Sequence, residues 1–174
     1  MPTVNVNAVL MKLLDQRQIK QKIERLAIEI LEHNLDETEI ILAGINNNGL
    51  GFAKLLLKRL QKLTDITLTL TQIRLSPANP IEREVTIGLK SEELNNKVII
   101  IVDDVANTGR TIFYATKPLM EVLPKKVEVA VLVDRKHKSF PVKVDYLGLS
   151  LATTLKENID VNILNTKEQA VFLN

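Results

Sequence analysis

Hydrophobic positions recur along the chain with two periods, which predict helices alternating with strands. Residues 15–33 carry apolar side chains at helical spacing, and Asp15 with Gln18 resembles a capping box. Residues 50–63 predict a second amphipathic helix, and residues 66–73 alternate with the period of a strand that has one exposed face. Continuous apolar runs predict further, buried strands at residues 39–44, 97–103, 127–134, 145–151 and 160–164.

The stretch from residue 74 to 96 is the least regular. Pro77 and Pro80 interrupt it early and Gly88 interrupts it later, which predicts a mobile loop over residues 74–89 with a short hairpin through 84–89. Residues 111–123 are helical by pattern, but Pro118 must kink or shorten that helix.

This alternation of strands and helices predicts the α/β class, with a mainly parallel sheet of five or six strands and helices on both faces. The strand over residues 98–103 has the longest uninterrupted β-branched run and should be central. A length of 174 residues fits a single domain, 1–174.

Composition removes several classes of function. The chain has no cysteine, which excludes disulfides and thiolate chemistry, and its two histidines are far apart, which argues against zinc. A net charge of +2 does not by itself imply nucleic acid, and 3% aromatic residues are too few for a base-stacking surface. No apolar run is long enough to span a membrane and no signal-peptide pattern is present, so we expect a cytoplasmic protein.

The segment from residue 98 to 111, VIIIVDDVANTGRT, carries the candidate chemistry. An apolar strand leads to Asp103 and Asp104, and the loop that follows opens a helix. Ligands of parallel sheets bind at the carboxyl ends of strands, and a helix N-terminus suits a phosphate. Gly109 permits close backbone approach, while the acidic pair can accept hydrogen bonds from a sugar diol. The segment therefore predicts a sugar-phosphate site; the alternative is that the acids only cap a helix or a turn.

At residues 102–111 (VDDVANTGRT) the sequence resembles the type I phosphoribosyltransferases, whose signature is an apolar strand, two acidic residues and a Thr-Gly turn. Residues 130–148 (AVLVDRKHKSFPVKVDYLG) and, less specifically, 40–60 (IILAGINNNGLGFAKLLLKRL) are most similar to the pyrimidine-operon attenuation regulators. Those regulators are bifunctional and also act as uracil phosphoribosyltransferases.

The resemblance implies a type I phosphoribosyltransferase fold with a small hood at roughly residues 135–174, and a reaction in which a nucleobase nitrogen displaces pyrophosphate from phosphoribosyl pyrophosphate. Asp103 and Asp104 would bind the ribose hydroxyls and, through ribose and water, Mg²⁺, while Arg74 would contribute to catalysis.

The implied loop for the 5′-phosphate is Ala106, Asn107, Thr108, Gly109, Arg110 and Thr111. The implied pyrophosphate loop is Ile45, Asn46, Asn47, Asn48 and Gly49, and the implied base contacts are Leu151, Ala152, Thr153 and Arg135. Arg135 is equally well interpreted as a solvated surface arginine. Family members commonly pair, so a homodimer or a larger assembly is expected.

Two departures from the family pattern concern pyrophosphate. Asn46, Asn47 and Asn48 stand where the regulators have Lys-Thr-Arg, and residues 73–76 (IRLS) stand where the mobile loop normally has Tyr-Arg-Asp-Asp, so only Arg74 is retained. We therefore predict transfer to uracil that is slow for the family.

The alternative is a nucleotide-sensing regulator that binds RNA with little or no catalysis; a third possibility is a phosphoribosyl-binding protein that has lost both roles. Basic residues on the first two helices would contact RNA phosphates. These residues are Arg17, Lys20, Lys22, Arg25, Lys54, Lys58, Arg59 and Lys62. They are also explained as solvated helix faces paired with Glu24 and Glu29, the interpretation that we favour.

Overall fold

The computed structural model describes residues 10–154 and 157–174. Residues 1–9 and 155–156, which belong to the predicted single domain and its predicted hood, lie outside the described residues. In chain order the elements are β1 (Met11–Leu14), α1 (Gln16–Glu32), β2 (Glu39–Ile45), α2 (Asn46–Leu60), β3 (Thr67–Arg74), β4 (Thr86–Ile87), α3 (Ser91–Leu94), β5 (Val98–Ala106), α4 (Arg110–Ala115), a 3₁₀ helix (Lys117–Glu121), β6 (Lys126–Arg135), β7 (Tyr146–Leu151), β8 (Ile159–Asn162) and β9 (Ala170–Leu173).

The larger sheet has six strands in the order β4-β3-β2-β5-β6-β7. All neighbouring pairs are parallel except β3 with β4, which is antiparallel. Strand β5 lies inside the sheet between β2 and β6, and its residues from Val98 to Val102 are at most 1% exposed. Its β-branched run therefore has no face in contact with water, and the predicted mainly parallel sheet with this strand in its interior is confirmed.

Helices cover both faces of this sheet, as predicted. Helices α1 and α2 pack on one face, where Leu26 and Leu56 are fully buried. Helices α3 and α4 cover the other face through Leu94 and Ile112. The helical period of α1 is thus explained by burial of a single stripe against the sheet. None of the helices in residues 10–154 and 157–174 is long and apolar enough to cross a membrane.

The predicted capping box starts α1. The Asp15 carboxylate accepts a hydrogen bond from the Gln18 N–H at 2.8 Å, and the Asp15 N–H donates to Oε1 of Gln18 at 2.9 Å. Two otherwise unpaired N–H groups at the helix start are satisfied in this way. Farther along, Pro118 lies in the first turn of the 3₁₀ helix and not inside α4, so the helix predicted over residues 111–123 is shortened as expected.

Helix α2 begins four residues earlier than the apolar pattern predicts, at Asn46 and not at residue 50. The chain turns directly from β2 into this helix because Asn46 adopts a left-handed backbone conformation, with φ of 49°. Asparagine tolerates that conformation better than most residues. The segment predicted as a loop is therefore the first turn of a helix.

The segment over residues 160–164 was predicted as one more buried strand, but β8 belongs to a separate sheet. This smaller sheet is antiparallel, in the order β1-β9-β8, and pairs Met11 with Leu173 and Ile159 with Leu173. Strands β1 and β9 were not predicted, because four residues are too few to show a period.

The predicted loop over residues 74–89 is anchored at both ends. Leu75 and Val85 are 9% and 4% exposed and pack in the cluster beneath α3 and α4. The hairpin predicted within residues 84–89 is wrong in its pairing: β4 pairs with the end of β3, Ile87 opposite Ile73. The part of the loop that lies between these anchors is residues 76–84.

Candidate active site

A cleft opens at the carboxyl ends of β2, β3 and β5, where a parallel sheet is expected to bind its ligand. Its volume is about 680 Å³. The lining residues are Ile45, Asn46, Asn47, Asn48, Gln72, Arg74, Pro77, Asp103, Asp104, Val105, Asn107, Thr111 and Ile159. A second hollow of about 420 Å³ follows residues 105–112 and shares Pro77, Val105, Asn107 and Thr111 with the first. The structure therefore brings most of the predicted site residues into one continuous cleft.

The acidic pair lies near the end of β5, which continues to Ala106 and so extends three residues beyond the predicted strand. Asp103 is only 8% exposed, and Asp104 is half-buried. The Asp104 N–H donates to Oδ1 of Asp103 at 2.9 Å, and the Val105 N–H donates to Oδ1 of Asp104 at 2.9 Å. The local backbone therefore holds both carboxylates at the floor of the cleft.

Burial raises the pKa of both acids. For Asp103 the pKa lies well above its ordinary value, because burial disfavours the charged form and the negative charge of Asp104 adds to that effect. Burial likewise raises the pKa of Asp104, against which a hydrogen bond from Asn48 acts. No ion pair joins either carboxylate to a described cationic side chain. Hydroxyl donors or a cation would therefore stabilise the charged form of the pair.

The predicted phosphate loop is a tight turn between β5 and α4. Gly109 adopts φ of 86°, a left-handed conformation that L side chains rarely take. The Thr108 carbonyl accepts hydrogen bonds from the N–H groups of Ser139 at 2.9 Å and Phe140 at 3.2 Å. Asn107, Thr108 and Arg110 are exposed. The backbone of the loop is therefore held by residues 139–140, while its side chains remain accessible to solvent.

Gly49, in the first turn of α2, brings that turn into contact with β5. A Cβ at this position would lie 2.5 Å from the Val102 carbonyl oxygen and 3.3 Å from Oδ1 of Asp103. The absence of a side chain thus permits α2 to sit beside the acidic pair. Gly49 therefore allows the predicted pyrophosphate loop to lie next to the predicted ribose-binding acids.

We expect Gly49→Ala to lower the free energy of unfolding by about 1–3 kcal/mol, the usual effect of overpacking a tight contact. Urea denaturation followed by circular dichroism measures it. Gly88→Ala is the matched control, because its Cβ would approach the Thr71 hydroxyl, which can rotate away, at 2.9 Å. Equal stability of the two variants would contradict the role given to Gly49.

Each of the three consecutive asparagines has a protein partner. Asn46 makes two hydrogen bonds to the backbone of Leu75, at 3.0 and 3.1 Å. Asn48 donates to Oδ2 of Asp104 at 3.2 Å, and Oδ1 of Asn47 accepts a longer contact of 3.5 Å from Gln72. The three side-chain amides are therefore already engaged within the protein.

Arg74 is the one cationic side chain among the described residues that line the larger half of the cleft. It is exposed, and its Nε donates to Oε1 of Gln72 at 3.1 Å. Gln72, which also lines the cleft, was not among the residues predicted for the site. Its position, two residues before the carboxyl end of the parallel strand β3, is the feature that could have predicted a place in the cleft.

Arg135 lies beside the cleft and joins the lining residue Asn107 to the segment that follows β7. Its guanidinium donates to Oδ1 of Asn107 at 3.3 Å and to the Thr154 carbonyl at 2.6 Å. Arg135 is half-buried, and its guanidinium has partners within the protein.

Of the predicted base contacts, Leu151 ends β7, and Ala152 and Thr153 follow it. Leu151 is held opposite Arg135, and its carbonyl accepts the Lys136 N–H at 3.0 Å. These three residues do not line either half of the cleft as described. The smaller sheet contributes Ile159 to the lining instead.

The fold is shared with solved phosphoribosyltransferases. The hypoxanthine phosphoribosyltransferase of Trypanosoma cruzi superimposes with a TM-score of 0.73 over 92% of this chain and 95% of its own, at 16% identity. The hypoxanthine-guanine phosphoribosyltransferase of Bacillus anthracis gives 0.67 over 81% and 82%, at 19% identity. The architecture is that of the type I phosphoribosyltransferases.

Sequence comparison gives the family directly. The family model for the phosphoribosyl transferase domain matches residues 10–164. Bifunctional protein PyrR of Alkaliphilus metalliredigens is 36% identical over 172 residues, which cover 92% of this chain and 93% of that protein. Bifunctional protein PyrR of Streptococcus pneumoniae is 32% identical over 160 residues, covering 91% and 92%. The chain belongs to the phosphoribosyltransferase family and is a pentosyltransferase.

Proposed function

We propose that the protein transfers the phosphoribosyl group of phosphoribosyl pyrophosphate to uracil, giving UMP and pyrophosphate. The observation that carries this proposal is the meeting of the acidic pair and the turn around Gly109 in one cleft. A sugar-binding pair beside a phosphate-binding turn matches a phosphorylated ribose. The choice of uracil rests on the sequence resemblance to the pyrimidine-operon attenuation regulators.

In this proposal Asp103 and Asp104 accept hydrogen bonds from the ribose hydroxyls, and residues 106–111 hold the 5′-phosphate. Arg74 and the first turn of α2 face the pyrophosphate. Ile159, residues 151–153 and Arg135 form the hood side, where the base would lie. The bond between C1 of ribose and the pyrophosphate oxygen breaks while the bond from C1 to the base nitrogen forms, and that nitrogen loses its proton.

Mg²⁺ fits this donor set as a substrate-bound ion. Among the described residues no group of three or more acidic, histidine or cysteine side chains is arranged to hold a metal. Mg²⁺ commonly binds through one or two carboxylates, several waters and the oxygens of a phosphate substrate. Asp103 and Asp104 provide the carboxylates, and the ion would supply positive charge to the departing pyrophosphate.

The described residues contribute mainly placement and electrostatics. The transition state carries positive charge on the ribose ring and growing negative charge on pyrophosphate, so fixed groups of the opposite sign accelerate the reaction. In this proposal the carboxylates of Asp103 and Asp104 lie on the ribose side and Arg74 lies on the pyrophosphate side; all three residues line the same cleft. Holding the base and the ribose in register adds the usual gain from orientation.

We propose that residues 76–84 close over the cleft when substrate binds. Arg83 is exposed within this segment, so trypsin should cut there in the free protein. Phosphoribosyl pyrophosphate with Mg²⁺ should slow the cut about fivefold or more, because closure lowers the population of the open loop. Cleavage is followed by mass spectrometry, with Arg17 and Arg25 in α1 as reference sites. Equal rates with and without substrate would contradict closure.

Pyrophosphate release with a panel of bases tests the activity. The protein is incubated with phosphoribosyl pyrophosphate, Mg²⁺ and uracil, cytosine, orotate, hypoxanthine, guanine or adenine. We expect release above background with uracil and formation of UMP. Release with a purine alone would retain the transfer reaction and refute the pyrimidine assignment, and no release with any base would refute the enzyme.

Binding to RNA is a second candidate function, favoured by the charges on α1 and α2. Two of the basic residues are engaged within the protein: Arg59 pairs with Glu24, and Arg25 donates to the carbonyls of Leu147 and Gly148. The other six form no ion pair within the described part of the chain: Arg17, Lys20, Lys22, Lys54, Lys58 and Lys62. A groove of about 440 Å³ between the helices is lined by Lys20, Lys58, Arg59 and Lys62, among others.

Salt dependence of RNA binding tests this candidate. If the groove contacts phosphates, each neutralised phosphate should contribute about −0.7 to the slope of log K against log salt for a single strand. Lys20→Ala with Lys58→Ala should then flatten the slope by about 1.4 without changing transfer to uracil. An unchanged slope would mean that these lysines form only a solvated face.

We also propose a homodimer or a larger assembly, which light scattering on the same samples would measure.

A further inference from the structure

Asn46 connects two parts of the cleft that lie 29 residues apart in sequence. Strand β2 ends at Ile45, which is opposite Ile73 of β3. The backbone then turns away into α2, but the Asn46 side chain continues the pairing: its Nδ2 donates to the Leu75 carbonyl at 3.0 Å, and its Oδ1 accepts the Leu75 N–H at 3.1 Å. The amide thus takes the place of one more strand residue at the edge of β3.

These two bonds fix the start of the 76–84 loop relative to the first turn of α2. Leu75 is 9% exposed, so its backbone groups have few other partners within reach. Pro77 is held from the opposite wall, where Arg110 donates to its carbonyl at 2.9 Å. Pro77 lines both halves of the cleft, so the chain between these two points borders it.

Arg74 immediately precedes Leu75, so whatever holds the Leu75 backbone also sets the origin of the Arg74 side chain. This matters because the larger half of the cleft has no second cation among the described lining residues. A single cation that must meet a departing pyrophosphate depends on its placement more than one of several would.

We propose that Asn46 is a positioning residue that holds Arg74 at the pyrophosphate end of the cleft through its two hydrogen bonds to Leu75. The kinetic part of this inference rests on the proposed phosphoribosyl transfer. The structural part, the clamp on Leu75, does not.

Asn46→Gly is the variant that isolates the clamp. Glycine accepts the φ of 49° without strain but makes neither bond to Leu75. We expect kcat with uracil to fall about tenfold, with less than a twofold change in KM for uracil, since the base lies at the other end of the cleft. Asn96→Gly is the matched control, because Asn96 also has a positive φ, of 57°, but precedes β5 outside the cleft.

A double-mutant cycle with Arg74→Ala tests whether Asn46 acts through Arg74. If it does, Asn46→Gly should have no further effect on kcat in the Arg74→Ala background. The same loss of effect is expected in the Kd for phosphoribosyl pyrophosphate. Equal effects in the two backgrounds would overturn the assignment.

Hydrogen exchange of the Leu75 amide tests the clamp without any turnover. Asn46→Gly should accelerate exchange of this amide at least tenfold, while Asn96→Gly leaves it unchanged. If the protein turned over no base, the proposed function would fail, and the exchange rate together with the Kd cycle would still decide this inference. Unchanged Leu75 exchange would overturn it.

Discussion

Replacing Asp103 and Asp104 together with asparagine is expected to lower kcat/KM for phosphoribosyl pyrophosphate by about 10²- to 10⁴-fold. In the proposed site each carboxylate accepts a charged hydrogen bond from ribose that contributes about 1.5–3 kcal/mol, so the loss of both corresponds to about 3–6 kcal/mol. Both side chains keep their shape, and an asparagine at position 103 can still accept the N–H that Asp103 accepts at 2.9 Å. Steady-state kinetics with varied phosphoribosyl pyrophosphate measures the effect.

The same change should stabilise the fold at neutral pH. Because burial raises the pKa of Asp103, the unfolded chain binds fewer protons at this position than the folded one above the ordinary aspartate pKa, and stability falls as pH rises toward the raised pKa. Asp103→Asn removes that loss, so the free energy of unfolding at pH 7 should be higher for the variant than for the wild type. The difference should shrink below about pH 4, where the aspartate is protonated in both states.

These two measurements separate a binding role from a structural one. Lower activity with equal or higher stability places the acids in substrate binding. Lower activity with lower stability would mean that they only cap the turn after β5, which is the alternative that the sequence left open. Asp160→Asn is a control, because Asp160 lies on β8 and its carboxylate bonds only to Asn158 and Asn174 among the described residues.

Asn48→Arg is expected to raise kcat about tenfold or more. The wild-type residue presents an amide where the related regulators have an arginine, and a charged hydrogen bond to a developing anion contributes about 1.5–3 kcal/mol. Asn48 is exposed at the start of α2, so the longer side chain has room. Turnover with uracil at saturating phosphoribosyl pyrophosphate measures the gain.

Asn48→Gln is the matched variant, since it lengthens the side chain without adding charge. The Arg variant should exceed it in kcat. The present partner of Asn48 is the Asp104 carboxylate at 3.2 Å, so an arginine that preferred Asp104 to pyrophosphate would lower kcat. That result would show that the asparagine protects the acidic pair from a competing cation, and the charge argument would be wrong.

The parts of the fold that the sequence predicts are those with long, locally encoded patterns. The capping box at Asp15 and the five strands of the larger sheet from β2 to β7, apart from β4, follow from periods and apolar runs of six residues or more. The acidic pair and the turn at Gly109 are contiguous, so their shared location follows from sequence order alone.

Contacts between segments that are distant in sequence could not be predicted from these patterns. The bonds from Asn46 to Leu75 depend on the register of β2 against β3 and on a left-handed backbone that a run of three asparagines does not specify. Gln72 enters the cleft only because β3 ends there. Strands β1 and β9 pair although almost the whole chain separates them, and a strand of four residues is too short for its pattern to predict that pairing.

The pairing of β1 with β9 also orders the assembly of the molecule during synthesis. The larger sheet, the acidic pair and the turn at Gly109 are complete once Leu151 has been made, whereas the smaller sheet must wait for Leu173, the last but one residue. Closing so long a chain segment carries the largest entropic penalty of any pairing in the fold. The nascent protein thus forms the cleft proposed to hold a phosphorylated ribose before it forms the wall that contributes Ile159, and deletion of residues 170–174 would remove the central strand of that wall.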